Sequence, residues 1–182
     1  MNQIIYNPAL KETIVFVKTS LETGGAFSEL KISLEPGGGN PLHLHRSYTE
    51  LFTAVNGELG LELKNKKKLI LKPGESYLVK KGEVHRFFNP GSSSITFTNQ
   101  VTPGSTGLEN TLRILCGLAA DGLYNNKQHI PRNIFHMAVC GAMSDMRLTG
   151  LKGAVTTPLI KLFAALARKT GIEQKLIAKY CI

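Results

Sequence analysis

The 182-residue sequence has no tryptophan, only three cysteines and a shortage of acidic side chains. Each scarcity excludes something. Cys116, Cys140 and Cys181 are odd in number and widely spaced, which argues against a disulfide framework and suits free thiols in a reducing compartment. Acidic residues number 13 against 22 basic ones, for a formal net charge of +9, and the excess lies mainly in residues 104–182. A basic surface attracts anions, but no aromatic residues interleave with the charges and no recognition motif accompanies them, so nucleic acid is not the expected partner. The longest uncharged apolar stretch, Asn133–Ser144, falls short of the ~20 residues of a membrane span. Met1–Pro8 has neither the basic start nor the apolar run of a secretory signal, so the cytoplasm is the expected compartment.

What remains is an ordinary globular composition, 42% hydrophobic and 19% charged, in a chain long enough to bury a sizeable core. Residues 1–12 read as a peripheral arm that can add a strand to a sheet edge. Ile14–Thr19 and Ser28–Leu34 read as a hairpin around Gly24 and Gly25. Leu51–Val55 and Leu59–Lys64 are the next strands, joined by Asn56 and Gly57, a pair that accepts the positive φ angles of a tight hairpin. The run Lys66, Lys67 and Lys68 reads as a charged turn before Leu69–Leu71. Ser76–Val79 follows the turn at Pro73 and Gly74, Val84–Phe88 alternates after Gly82, and Ser94–Val101 closes the sheet. Eight or nine short strands at regular spacing predict a β-sandwich or barrel over residues 1–103.

At Pro103 the period changes to helical, and residues 104–182 read as a C-terminal α-helical extension. Leu108, Leu112, Leu115 and Ala119 predict the apolar face of a first helix that ends at Asp121 and Gly122. A second is expected over about Pro131 to Arg147, with Ile134, Met137, Ala138 and Gly141 on one face. Thr157 and Pro158 predict the cap and first turn of a third, whose stripe is Leu159, Leu162, Phe163 and Leu166, with Gly171 at its end. Ile172–Tyr180 predicts a short last helix with Lys175 and Lys179 exposed. The extension is expected to cover the β domain or to pair two subunits, making a homodimer. Contact of its basic, amphipathic helices with an anionic membrane surface is the less favoured reading, because any helix packed on a domain shows this pattern. His129 and His136 lack a carboxylate or cysteine at ligand spacing and read as surface or capping residues.

The chemistry concentrates between Gly37 and Asn89. His43 and His45 share one face of an extended segment while Leu44 points away. Glu50 has the wrong parity to join them on an unbroken strand, so a bend or bulge is expected within Arg46–Thr49. His85 comes from a separate strand. Three imidazoles and one carboxylate suit one divalent transition metal ion, among Fe, Mn, Ni, Cu and Zn, and leave positions open for water or a small-molecule substrate. The bland alternative is a set of polar residues in a barrel mouth with no metal. By parity Phe52 shares a face with Glu50 and Phe87 with His85, making both candidates for the substrate-pocket wall or for plain core packing. Tyr48 is the one visible candidate for catalytic proton transfer, and it could equally lie on the rim.

Two strings hold these residues: Gly37, five residues, His43, one, His45, four, Glu50, six, Gly57; then Gly74, seven, Gly82, two, His85, three, Asn89. They resemble the paired motifs of the cupin family over roughly residues 28–101, with Lys80 where that family usually has proline. The resemblance implies a mainly β fold, a jelly-roll β-barrel whose His43, His45, Glu50 and His85 bind a metal ion. It also implies a metal-dependent enzyme acting on a small molecule, without choosing among oxygenase, isomerase and decarboxylase chemistry. A non-catalytic small-molecule binding or sensing module is the alternative. A structural oligomer protein with idle ligands is the third reading.

Overall fold

The computed structural model describes residues 3–125 and 130–181, with the side chains of residues 150–154 left aside; His129 lies outside the described residues. The chain divides into two compact units, Met1–Tyr6 with Leu10–Thr106, and Asn7–Ala9 with Gly107–Ile182.

The first unit is built of strands. In chain order they are β1 (Ile4–Asn7), β2 (Glu12–Lys18), β3 (Ser28–Leu34), β4 (Thr49–Asn56), β5 (Leu59–Leu63), β6 (Lys68–Leu71), β7 (Ser76–Val79), β8 (His85–Phe88) and β9 (Ile95–Thr102). One sheet has the order β1-β2-β3-β9-β4-β7, the other β6-β5-β8. Alternation explains the core. Along β3, Leu30, Ile32 and Leu34 are buried while Lys31 and Ser33 are exposed, and the inward residues of β9 include Ile95, Phe97 and Val101. Each fully buried aliphatic or aromatic side chain contributes about 1.5–3 kcal/mol.

The hairpin from β2 to β3 forms as expected, with Gly24 and Gly25 at φ +60° and +87°. The turn at the lysine run also closes β5 onto β6, with Leu63 N–H donating to Lys67 O at 2.7 Å. The expected hairpin at Asn56 and Gly57 does not form. Gly57 has φ +75°, yet β4 pairs with β7 and β9 while β5 pairs with β6 and β8, so this turn is a corner between sheets. Here the bulky Ile95 side chain crowds the glycine; an added Cβ would lie 2.6 Å from its Cγ2.

Lys80 stands where the resemblance implies a proline. Its N–H, which a proline would lack, donates to Glu83 Oε2 at 2.9 Å, and Tyr77 Oη donates to Glu83 Oε1 at 2.7 Å. The side chain of Glu83 thereby secures the turn before β8.

The second unit contains α1 (Thr106–Ala120), a two-stranded ribbon of β10 (Tyr124–Asn125) and β11 (Ile130–Pro131), then α2 (Ile134–Met143), α3 (Gly150–Lys169) and α4 (Ile172–Tyr180). The ribbon has no strong sequence signal, being two residues a side. In α1 the buried residues are Leu108, Glu109, Thr111, Ile114, Cys116 and Leu118, whereas Leu112, Leu115 and Ala119 are half-buried. The predicted face thus holds in part: Leu108 is buried and Leu115 and Ala119 pack against the core, but its centre shifts to Ile114 and Leu118, beside Gly117, onto which the ring of Tyr180 from α4 packs.

Helix α2 is shorter than expected, starting after Asn133, whose Oδ1 accepts from Phe135 N–H at 2.8 Å, and stopping at Ser144. Its buried residues are Ala138, Val139 and Cys140, while Ile134 is exposed. Helix α3 does not start at Thr157 and Pro158. It begins at Gly150 and runs through Pro158, which removes one backbone donor on an exposed face where water can replace it. Its expected stripe is also displaced: Ala164 and Ala167 are buried, whereas Leu159, Leu162 and Leu166 are 46%, 54% and 41% exposed. Small residues allow the closer helix approach, as at Gly141 of α2 beside Ile160 of α3. Cys116 and Cys140 are buried and Cys181 half-buried, and none of the three is in a disulfide. Among the described residues no helix is long and apolar enough to cross a membrane.

Candidate metal centre

The chain bends at Arg46 and Ser47, and this bend brings Glu50 of β4 onto the side of the two histidines before it. His43 and His85 are tied by reciprocal backbone bonds, His43 N–H to His85 O at 3.0 Å and His85 N–H to His43 O at 2.8 Å. Gly82 N–H donates to His45 O at 2.6 Å. Asn40 Oδ1 accepts from Phe87 N–H at 2.9 Å, aligning β8 further. As a result one donor atom from each of His43, His45, Glu50 and His85 lies within 4.8 Å of the others, and all four residues are buried.

Hydrogen bonds set the imidazole faces. His43 Nδ1 is 2.7 Å from Pro41 O and His85 Nδ1 is 3.0 Å from Glu83 O; a carbonyl only accepts, so each Nδ1 carries the proton and each Nε2 is left with its lone pair. His45 Nδ1 lies 2.7 Å from the Tyr48 hydroxyl. Glu50 Oε2 is 3.6 Å from His45 Nε2 and 2.9 Å from His85 Nε2. Its other oxygen, Oε1, accepts from Asn99 Nδ2 at 2.8 Å.

Charge follows from this packing. Burial disfavours the Glu50 carboxylate, but the imidazoles of His85, His45 and His43 outweigh it and lower its pKa to about 2. Burial, together with the neighbouring His85 and His45, lowers His43 to about 3. For His85 burial also works against the charged form, yet the Glu50 carboxylate reverses the balance and raises its pKa.

The group fits a metal ion on an observation of its own. Glu50 Oε2 and His85 Nε2 are buried and, among the described residues, have no hydrogen-bond partner despite their 2.9 Å separation. Such orphaned polar atoms normally cost about 1–3 kcal/mol each. Donors held about 2.0–2.2 Å from one ion lie about 3–4 Å apart, so the four close around an ion with a small inward shift.

Tyr48 is buried behind His45, with ring centroids 4.5 Å apart. Phe52 and Phe87 are buried and pack with Phe97, at centroid distances of 6.1 Å for Phe52–Phe97 and 5.1 Å for Phe87–Phe97; Phe52 also lies 6.0 Å from His85. His136 belongs to the helical unit. Asn99 escaped the sequence reading. Its one signal is a polar interruption in the inward series Ile95, Phe97, Asn99, Val101 of β9.

Residues 30–99 match the family model described as "Cupin domain". This segment is a cupin domain. The chain is 32% identical over 92 residues to oxalate oxidase GF-3.8 of Triticum aestivum, covering 45% of this chain and 41% of that protein. It is 32% identical over 124 residues to germin-like protein subfamily 1 member 5 of Arabidopsis thaliana, covering 63% of this chain and 53% of that one. The chain thus spans about half or less of these relatives. Among solved structures, a predicted oxalate decarboxylase from Thermotoga maritima is similar with TM-score 0.49 and 19% identity, covering 57% of this chain and 92% of that one. The match to the cupin model ends at β9, before the helical unit begins.

Proposed function

We propose that this cupin protein is a metal-dependent enzyme acting on a small molecule, with one divalent transition metal held by Nε2 of His43, His45 and His85 and by Oε2 of Glu50. The observation that carries the reading is the buried, unpartnered pair Glu50 Oε2 and His85 Nε2. In this reading the two sheets are the walls of a jelly-roll barrel, and Phe52 and Phe87 form the apolar wall beneath the ligands. An ion held there, whether Fe, Mn, Ni, Cu or Zn, supplies Lewis acidity, or redox chemistry for the first, second and fourth. The histidine Nδ1 contacts orient the rings, and the buried surroundings restrict water. The wheat relative is by name an oxalate oxidase, which makes a small carboxylic acid the first substrate class to assay.

A second reading, a small-molecule binding or sensing module, is favoured by one observation. The Tyr48 hydroxyl is engaged with His45 Nδ1, which suits it to orienting that ligand rather than to serving a substrate as acid or base. The proposal also includes a cytoplasmic location, and a homodimer supported by the exposed apolar residues Val155, Leu159, Leu162 and Leu166 of α3.

Elemental analysis of the protein beside a His43→Ala, His85→Ala double variant tests the metal reading. Near-stoichiometric metal that disappears in the variant is the expected result, followed by turnover of a carboxylic acid. No metal in either protein after reconstitution sinks it.

A further inference from the structure

We infer that Asn99 is a positioning residue that holds Glu50 to one-oxygen coordination and so keeps a place free on the ion for a ligand. The inference rests on the metal reading above, and its argument starts in the strand register. On β4 and β9, Glu50 pairs with Val101 and Phe52 with Asn99, which makes Asn99 the diagonal neighbour of Glu50 on the same inward face. From there its Nδ2 reaches Glu50 Oε1 at 2.8 Å, with both residues buried.

The chemistry of the pair fixes its orientation. An ionised carboxylate only accepts hydrogen bonds, so the amide must present its nitrogen to Glu50. One carboxylate oxygen is then committed to Asn99, while the other faces His45 and His85. A carboxylate with both oxygens at liberty can bind an ion through two of them and occupy two coordination positions. Pinned at Oε1, Glu50 has one oxygen to give. Three imidazole nitrogens and one oxygen make four protein ligands, which leaves two positions on a six-coordinate ion.

Packing does not account for this amide. Asn99 stands between Phe97 and Val101 in an otherwise apolar inward series, and among the described residues its Oδ1 is buried without a hydrogen-bond partner. An apolar side chain of similar size would bring no unpaired oxygen of its own. What the amide adds at this position is the donor to Glu50.

The test titrates wild type, Asn99→Leu, Asn99→Asp and Asn99→Gln with Co(II) and, separately, Mn(II), following cobalt visible absorption, manganese EPR and affinity, with thermal melts of the metal-free proteins as the folding control. Asn99→Leu and Asn99→Asp are expected to bind roughly 10–100-fold more weakly and to change both spectra, because losing an outer partner has about that effect on affinity and frees Oε1. Asn99→Gln, which keeps an amide donor, is expected to move the spectra back toward wild type. If Asn99→Leu fails to fold, the near-isosteric Asn99→Asp decides. Folded Leu or Asp variants with wild-type spectra and affinity overturn the role of Asn99 while the metal reading stands. A wild type that takes up neither ion overturns both.

Discussion

Glu50 Oε2 and His85 Nε2 lie 2.9 Å apart in the interior, and no hydrogen bond joins them while His85 is neutral with its proton on Nδ1. The proton that would join them is on the far side of the ring, where His85 Nδ1 meets Glu83 O. The carboxylate still biases His85 toward taking a second proton.

Metal uptake is therefore expected to compete with a proton on His85. Glu50, at about 2, and His43, at about 3, are already deprotonated across the ordinary range, whereas His85 is raised above its usual 6.5. As pH falls through that raised value, affinity drops by about tenfold per unit for one competing proton. Calorimetry in buffers of different ionisation enthalpy checks this. Glu50→Gln removes both a proposed ligand and the cause of the shift, so it is expected to weaken binding and abolish the His85 proton release.

Tyr48→Phe separates orientation from catalysis. Losing the 2.7 Å contact to His45 Nδ1 is expected to weaken metal binding by roughly tenfold, while turnover at saturating metal is largely kept. Unchanged affinity with turnover abolished would return Tyr48 to a proton-transfer role. Metal titration and steady-state kinetics on the same preparation provide both readings.

Glu12 gives the fold a pH dependence away from the site. It is 3% exposed on β2, and burial raises its pKa from 4.5 to about 7. The folded state holds this proton more tightly than the unfolded chain does. Stability from Glu12 is thus fully present below pH 4.5 and is lost as pH rises to about 7, by about 3 kcal/mol in total. Denaturant melts of Glu12→Gln from pH 4.5 to 8 are expected to lack this downward slope.

The dimer is tested on α3. Leu162 is 54% exposed, beside Leu159 and Leu166 on the same face. A buried carboxylate there is strongly unfavourable, so Leu162→Glu is expected to convert a dimer to monomer while leaving the far-UV circular dichroism unchanged. Light scattering after size exclusion measures the mass. A wild type that runs as a monomer rejects the dimer at once.

Period-two regions were the most legible in sequence. Ser28–Leu34 is a strand with the predicted limits, because its alternation of buried and exposed residues leaves one register. Connections were less so. Asn56 and Gly57 have the same backbone chemistry in a hairpin as in a corner between sheets, and pairing with β9 decides between them from a distance. In the helices, leucines drew the predicted stripe, yet Ala164 and Ala167 are the buried residues of α3, since close packing uses small side chains. The four candidate ligands could be grouped from sequence because parity and a required bend constrain them. Asn99 could not, since its meaning depends on the cross-strand neighbour.

The reciprocal bonds between His43 and His85 act as a buckle on a long strap of chain. Everything from Leu44 to Val84 is fastened at its two ends by the same backbone pair that aligns the two imidazoles. An insertion at its outer bend, near Lys64–Lys66, is expected to leave the clasp in place. A change that opens the clasp loosens both halves of the ligand set together, so the centre is expected to be lost in a single step rather than one side chain at a time.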